Sequence, residues 1–444
     1  MALSSLRPLR SRNFALVWSA ALVSNAGSWV QTVALGVLVT ERTHQPLWTG
    51  LVAAAAFLPM GLLSPLGGAM ADRFDRRRWL ILTTLAEACF AATLAVLAAT
   101  GNTEPWALSA IAFLGGCATA IGFPTYQAML PDLVPKDDLL AAVSLSSAQF
   151  NLGRVLGPAI AGVVLVAGSA AWAFALNAVS FGAVVLALLF VRLPLRKVAL
   201  TGESIAHRIA QGARVVAREP GCRSAIILIS IVALIGSPFI ALVPAVAIEG
   251  LHRGAAGTSV LVTGQGIGAV LGALALAPLA VVLGRRRLLL RALIAFPVAL
   301  VCYGLAPSLA SAAIAIAVVG ACYIGVLSGL NTVVQLRAPE EARGRVLGFH
   351  MMALGTIYPI GAVIEGAVGG IVGIQAVTVA SGVLLVTTLL ALATFKRSLF
   401  SALDDPGVTE VGRTPADAQR EQTPVGASEL ILEELEADLG EAAH

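Results

Sequence analysis

Charge is scarce in this chain. Asp, Glu, Lys and Arg make up 12% of its 444 residues, about half the share usual in a soluble protein. Apolar residues make up 58%, and the mean hydropathy is +0.88. So little charge cannot cover that much apolar surface in water. A soluble fold is thereby excluded, and lipid must be the solvent for much of the chain. Cysteine is sparse too. Cys89, Cys117, Cys222, Cys302 and Cys322 contain no CxxC pair, which leaves no disulfide framework and no thiolate metal site to expect. Four of them lie inside apolar runs, where Cys is a small packing residue. GxSxG, HExxH and Walker A motifs are also missing, so nothing points to an enzyme, a bound metal or an ATP-driven pump.

What is present is a series of long apolar runs. A membrane span needs about 20 predominantly apolar residues, and twelve segments qualify. They run roughly 14–39, 48–71, 79–100, 105–127, 139–167 and 170–192, then 223–248, 256–283, 287–306, 308–335, 344–368 and 371–395. The first follows Arg7, Arg10 and Arg12, and its length marks a span rather than the h-region of a signal peptide. The expected fold is thus all-α and polytopic: a six-helix bundle over 1–192, a polar, basic connector over 193–222, and a second bundle over 223–395. The remainder, 396–444, reads as a disordered acidic tail. Within that tail Ser428–Leu439 has the spacing of a short amphipathic helix.

The charges are unevenly placed. Asp404–His444 holds 11 of the 25 acids and two of the 29 bases, Arg413 and Arg420. With both termini cytoplasmic, 26 of the 29 bases fall on that side; Arg42 and Arg253 fall outside and Arg154 lies within a span. This asymmetry follows the positive-inside rule, and one helix more or fewer would invert every later loop. The basic loops therefore report topology, and nucleic acid is not an expected partner. Arg76, Arg77 and Arg78 after the second span are echoed by Arg285, Arg286 and Arg287 after the eighth, as in a parallel repeat of two six-helix units.

Three groups of residues carry possible chemistry. The first is the loop Gly67–Arg78 (GGAMADRFDRRR). Gly68 permits close approach of another helix. Asp72 stands where it can meet a helix N-terminus, which favours an anion. The eleventh span supplies one near Arg343 and Arg345. Gly68, Asp72, Arg73, Arg76, Arg77, Arg343 and Arg345 are therefore candidates for a cytoplasmic gate. The second group is Asn151–Gly162 (NLGRVLGPAIAG). Gly153 and Gly157 have GxxxG spacing, with Gly162 beyond, and Pro158 can bend the helix. Arg154 inside a span needs an aqueous cavity or a partner. The third is the pair of intramembrane carboxylates Glu87 and Glu365, which with Arg154 are candidates for proton coupling. Gln31, Asn151 and Asn177 are candidates to line a substrate cavity, although most intramembrane amides bridge helices. His350 reads as a packing residue.

The Gly67–Arg78 loop resembles the signature loop of the major facilitator superfamily, with Gly68, Ala71, Asp72, Arg73, Arg76 and Arg77 on its pattern and Asp75 where glycine is usual. Ser24–Ala34, Pro131–Asp138, the set Asn151, Arg154, Gly157 and Pro158, and Arg343–Val346 resemble the bacterial transmembrane secretion effector group. That group is similar to the drug:proton antiporter branch containing enterobactin exporters and macrolide-efflux proteins. The resemblance implies proton-coupled export of a small amphipathic molecule by a bacterial inner-membrane protein. No cofactor beyond the proton motive force and no partners beyond substrate and lipid are expected, and the chain is expected to act as a monomer. Ser28 stands where related first helices carry an acid, which moves any coupling role toward Glu87 or Glu365. An importer or uniporter of the same fold, or a sensor working through the acidic tail, are the alternatives.

Overall fold

The computed structural model describes residues 6–191, 205–339 and 342–403, without the side chains of residue 72 and of 205–209. The acidic tail beyond Leu403, its expected amphipathic helix and the side chain of Asp72 therefore lie outside the described residues. Lipid leaves a chain no water with which to pair its backbone, so helices are the solution for these segments. The described residues contain no strand, and twelve of their helical segments are long and apolar enough to span a membrane.

The first six spans are α1 (Arg12–Thr43), α2 (Pro46–Arg73), α3 (Arg76–Thr100), α4 (Pro105–Leu133), α5 (Leu139–Ala167) and α6 (Ala170–Phe190). A further helix, α7 (Ile205–Arg218), precedes the seventh span. That span, Pro220–Gly250, consists of α8 (Pro220–Ile231), a π-turn at Val232–Gly236, α9 (Phe239–Ala245) and a second π-turn at Val246–Gly250. Then come α10 (Gly254–Leu283), α11 (Arg285–Gly304), α12 (Leu309–Arg337), α13 (Arg343–Val372), α14 (Ile374–Phe395) and the short α15 (Arg397–Ser401).

Local chemistry explains most boundaries. Proline opens α2, α4 and α8 at positions whose N–H has no intrahelical partner. Ser308 and Ser311 form a capping box at the start of α12. The structure corrects three expected limits. Helix α1 runs on through Glu41 and Arg42 until His44 turns left-handed at φ 51°, because helical pairing continues after hydropathy falls. Helix α14 starts at Ile374, after Gly373 at φ 91°. The connector is not merely a polar loop: α7 packs along α8 and α13, with Val215 and Val216 against the core.

The two sets of six spans repeat one pairing scheme. In the first, α2 packs on α4, and α3 on both α4 and α6; in the second, α10 packs on α12, and α11 on both α12 and α14. Both sets belong to a single compact unit that ends at Leu403. They meet chiefly through α2 against α13 and α5 against α10. Small residues allow these contacts. A Cβ on Gly366 would come within 2.6 Å of Pro46 O, one on Gly50 would run into the carbonyl of Ala362, and one on Gly61 would sit 2.6 Å from the backbone of Gly355. Gly162 abuts Ser259 of α10, and Gly36 of α1 abuts Pro244 of α9.

These contacts occupy one side of the molecule. The end at which α1 begins is the basic end, carrying Arg76–Arg78 and Arg285–Arg287. The sets touch from the middle of the bundle to the opposite, far end. There His44 Nδ1 lies 2.9 Å from Glu249 Oε1, joining the end of α1 to the end of the seventh span. Toward the basic end α2 and α13 diverge: a Cβ on Gly68, Gly344 or Gly348 would meet no atom of the described residues within 4 Å. The structure is thus closed at the far end and splayed at the basic end. In a cysteine-free background, His44→Cys with Glu249→Cys should cross-link through a short bis-thiosulfonate, whereas Gly68→Cys with Gly344→Cys should not. The reverse pattern on gel mobility would refute the assigned closure.

Candidate functional site

The gate residues prove to do different work. Asp75 caps α3, its side chain accepting the N–H of Arg78 at 2.8 Å, which is what the unusual acid contributes to the loop. Arg76 donates to Ala128 O at 2.6 Å and to Asp132 at 3.0 Å. Arg77 donates to the carbonyls of Leu188 and Leu189 at 2.6 and 2.8 Å, completing the open C-terminus of α6 as a cation should. In this arrangement these two arginines tie the α2–α3 loop to α4 and α6 within the first set of helices. The reason is reach: the nearest unpaired carbonyls belong to their own bundle. Arg73 is exposed and lies over the ring of Phe74. Across the opening, Arg343 has a buried Nε without a hydrogen-bond partner, and the stem of Arg345 lies 3.4 Å from a Cβ built on Gly212 of α7.

Neither carboxylate reaches Arg154. Glu87 accepts a hydrogen bond from Thr119 of α4, and Glu365 lies near Ser381 of α14. Each faces the neighbouring helix of its own set, because α3 packs on α4 and α13 on α14. No carboxylate among the described residues forms an ion pair with Arg154. In this arrangement Arg154 and the two carboxylates stand apart. The amides are also mostly engaged. Asn177 donates to Gln31 at 2.9 Å and receives Ser180, bridging α1 and α6. Asn151 is exposed and bonds back to Ser147 O of its own helix. Gly153 and Gly157 seat α5 against α1 at Asn25, Ala26 and Trp29, while buried Pro158 and Gly162 continue that face toward α10.

A different cluster forms at mid-depth. Arg154, midway along α5, places its guanidinium 5.5 Å from the centroid of the Trp29 ring of α1. On the opposite set it lies within electrostatic reach of Tyr323 of α12 and Tyr358 of α13. Tyr323 shares a hydrogen bond of 3.0 Å with Ser237, which the first π-turn presents: Ser237 N–H bonds back five residues to Val232 O. The hydroxyl of Tyr358 and the Nε of Arg154 are buried without partners. Aromatic rings pack on both tyrosines. Phe57 meets Tyr358 edge-on at 5.7 Å, and Phe239 and Phe296 pack on Tyr323 at 5.6 and 5.2 Å. Sequence reasoning missed Trp29, Ser237, Tyr323 and Tyr358. One signal was available: the chain has only four tyrosines, and all lie inside spans.

Two sets of six spans with matching pairing, closed at one end around a polar midplane, define a secondary transporter of the major facilitator fold. A solved bacterial homolog of the human lysosomal transporter Spinster, inward-facing and unoccupied, shares this fold. It matches with a TM-score of 0.65 and 15% identity, covering 88% of this chain and 97% of its own. The chain belongs to the transmembrane secretion effector family, whose model matches residues 3–421. Its relatives include the multidrug efflux pump Tap of Mycolicibacterium fortuitum, 28% identical over 374 residues, or 81% of this chain and 90% of Tap. The enterobactin exporter EntS of Escherichia coli O1:K1 / APEC is 27% identical over 404 residues, 87% of this chain and 94% of EntS.

The bracing role of Arg76 is testable. Its partly buried bond to Asp132 and its bond to a helix-end carbonyl make Arg76→Ala destabilising by about 1–3 kcal/mol, read as a lower thermal midpoint in detergent. Arg73→Ala should leave that midpoint unchanged.

Proposed function

We propose that this protein exports a small amphipathic molecule across a bacterial inner membrane in exchange for protons, by alternating access. Family membership together with a bundle sealed at the far end and splayed at the basic end carries this reading. The basic end is assigned to the cytoplasm by the positive-inside rule, so the opening faces the compartment from which an exporter loads. Tap and EntS, full-length relatives, are named as an efflux pump and an exporter.

Proton exchange falls to Glu87 and Glu365. Each carboxyl lies inside a span beside a hydroxyl, Thr119 for Glu87 and Ser381 for Glu365. A carboxylate charge at that depth is costly, and a proton removes it. Protonation and release on opposite sides would bias the two arrangements of the bundle. The gating role falls to the ends of α2 and α13, where Gly68 and Asp72 must approach Arg343 when the basic end closes. No cofactor and no second subunit enter this scheme, and both termini lie in the cytoplasm.

The test uses inverted membrane vesicles acidified by respiration, with an acridine dye reporting the pH gradient. A panel of amphipathic compounds is added. At least one should collapse the gradient, and Glu87→Gln with Glu365→Gln together should weaken that response by about tenfold or more. If the double variant responds like the unmodified protein, the proton assignment is wrong. If no compound in the panel discharges the gradient, antiport itself is refuted.

A further inference from the structure

Arg154 is a cation at mid-depth with nothing to neutralise it. Its Nε is buried and unpartnered, and among the described residues it makes no ion pair and no hydrogen bond. A guanidinium is costly at such a depth unless it is paired. The Trp29 ring offsets only part of that cost. Beside it stands a second orphan, the buried hydroxyl of Tyr358. Two groups without hydrogen-bond partners among the described residues thus lie within electrostatic reach of each other.

That arrangement is the negative of an oxyanion. A guanidinium presents paired N–H groups whose spacing matches a carboxylate, and such bonds are about twice as strong as neutral ones. The surroundings specify the remainder of the ligand. Trp29 stands beside Arg154 and Phe57 beside Tyr358, and Phe239 and Phe296 back the ring of Tyr323. The approach is polar. Ser144, Ser147 and Asn151 lie at helical spacing on the face of α5 that carries Arg154, between it and the basic end, and all three are exposed. The arginines at that end add a field that draws anions inward.

We infer that Arg154, together with the hydroxyls of Tyr358 and Tyr323, recognises a carboxylate-type oxyanion on an amphipathic, ring-bearing substrate. This rests on the transport reading above and names the chemistry of its cargo. The anion neutralises the guanidinium when the two sets of helices close around it, so the substrate passes the bilayer centre with its charge paired to Arg154. Neutral and cationic compounds of equal size leave Arg154 uncompensated and bind less well.

Three probes with one fluorophore isolate the charge: dansylglycine (anionic), dansylglycinamide (neutral) and dansylcadaverine (cationic). Binding is measured by fluorescence anisotropy on the full chain in nanodiscs. Dansylglycine should bind at least about tenfold more tightly than dansylglycinamide, and more tightly still than dansylcadaverine. Arg154→Gln should abolish the preference, bringing the anionic and neutral probes to similar affinity. Tyr358→Phe should weaken dansylglycine several-fold and spare the neutral probe. Arg154→Lys keeps the charge but loses the fork, so it should retain part of the preference, and it decides the matter if Arg154→Gln does not fold. A merely structural arginine would instead lower all three affinities alike. No preference for dansylglycine, no binding of it, or a preference that survives in Arg154→Gln would overturn the inference. Anion preference without proton movement in vesicles removes antiport alone, whereas proton movement without anion preference removes this inference alone.

Discussion

Where α2 passes α13 the two backbones touch. A Cβ on Gly61 would strike Gly355, and one on Gly355 would strike Gly61. This contact without side chains is the constraint on which the arrangement of the halves depends. It brings Phe57 and Tyr358 edge to face one turn away, and it lets the helices lie close from mid-depth to the far end. A contact between bare backbones also has few knobs to unseat. Two helices so paired can change their crossing angle with little repacking, which interdigitated large side chains would resist. Beyond it, at Gly68 and Gly348, the helices have already parted.

Much of this architecture could be read from composition and spacing. Lipid imposes a length on each span and forbids unpaired backbone, so apolar runs translate almost directly into helices. Boundaries went astray where pairing and hydropathy part company, as at Glu41 and Arg42, or where a left-handed residue breaks a run, as at Gly373. Helix α7 escaped notice because its apolar residues form a stripe rather than a run, and a stripe does not raise mean hydropathy.

The site was legible only in part. Arg154 stood out because a charge inside a span needs an explanation whatever surrounds it. Its surroundings could not be read, since which face of α12 or α13 turns inward is settled by packing. Glu87 and Glu365 looked like its natural counter-charges, yet the pairing of α3 with α4 and of α13 with α14 turns them away. The partners of the arginine triplet were hidden for a related reason. Basic side chains near helix ends take the closest carbonyls, and for Arg77 those belong to α6.

The seventh span has a consequence for how the two halves compare. Each of its π-turns holds a residue that a regular α-helix would not, and α1, its counterpart in the repeat, has none. One added residue advances the chain by about 100° around the helix axis. Beyond Val232, then, the seventh span faces its neighbours with residues that a simple duplication of α1 would have pointed elsewhere. Ser237 meets Tyr323 by virtue of that offset. The pseudo-symmetry that relates the bundles therefore stops short of their shared centre: Trp29 and Arg154 confront hydroxyls, not a second Trp and Arg. A ligand held there has a defined front and back, and the molecule tells its two ends apart even though the scaffold was built twice.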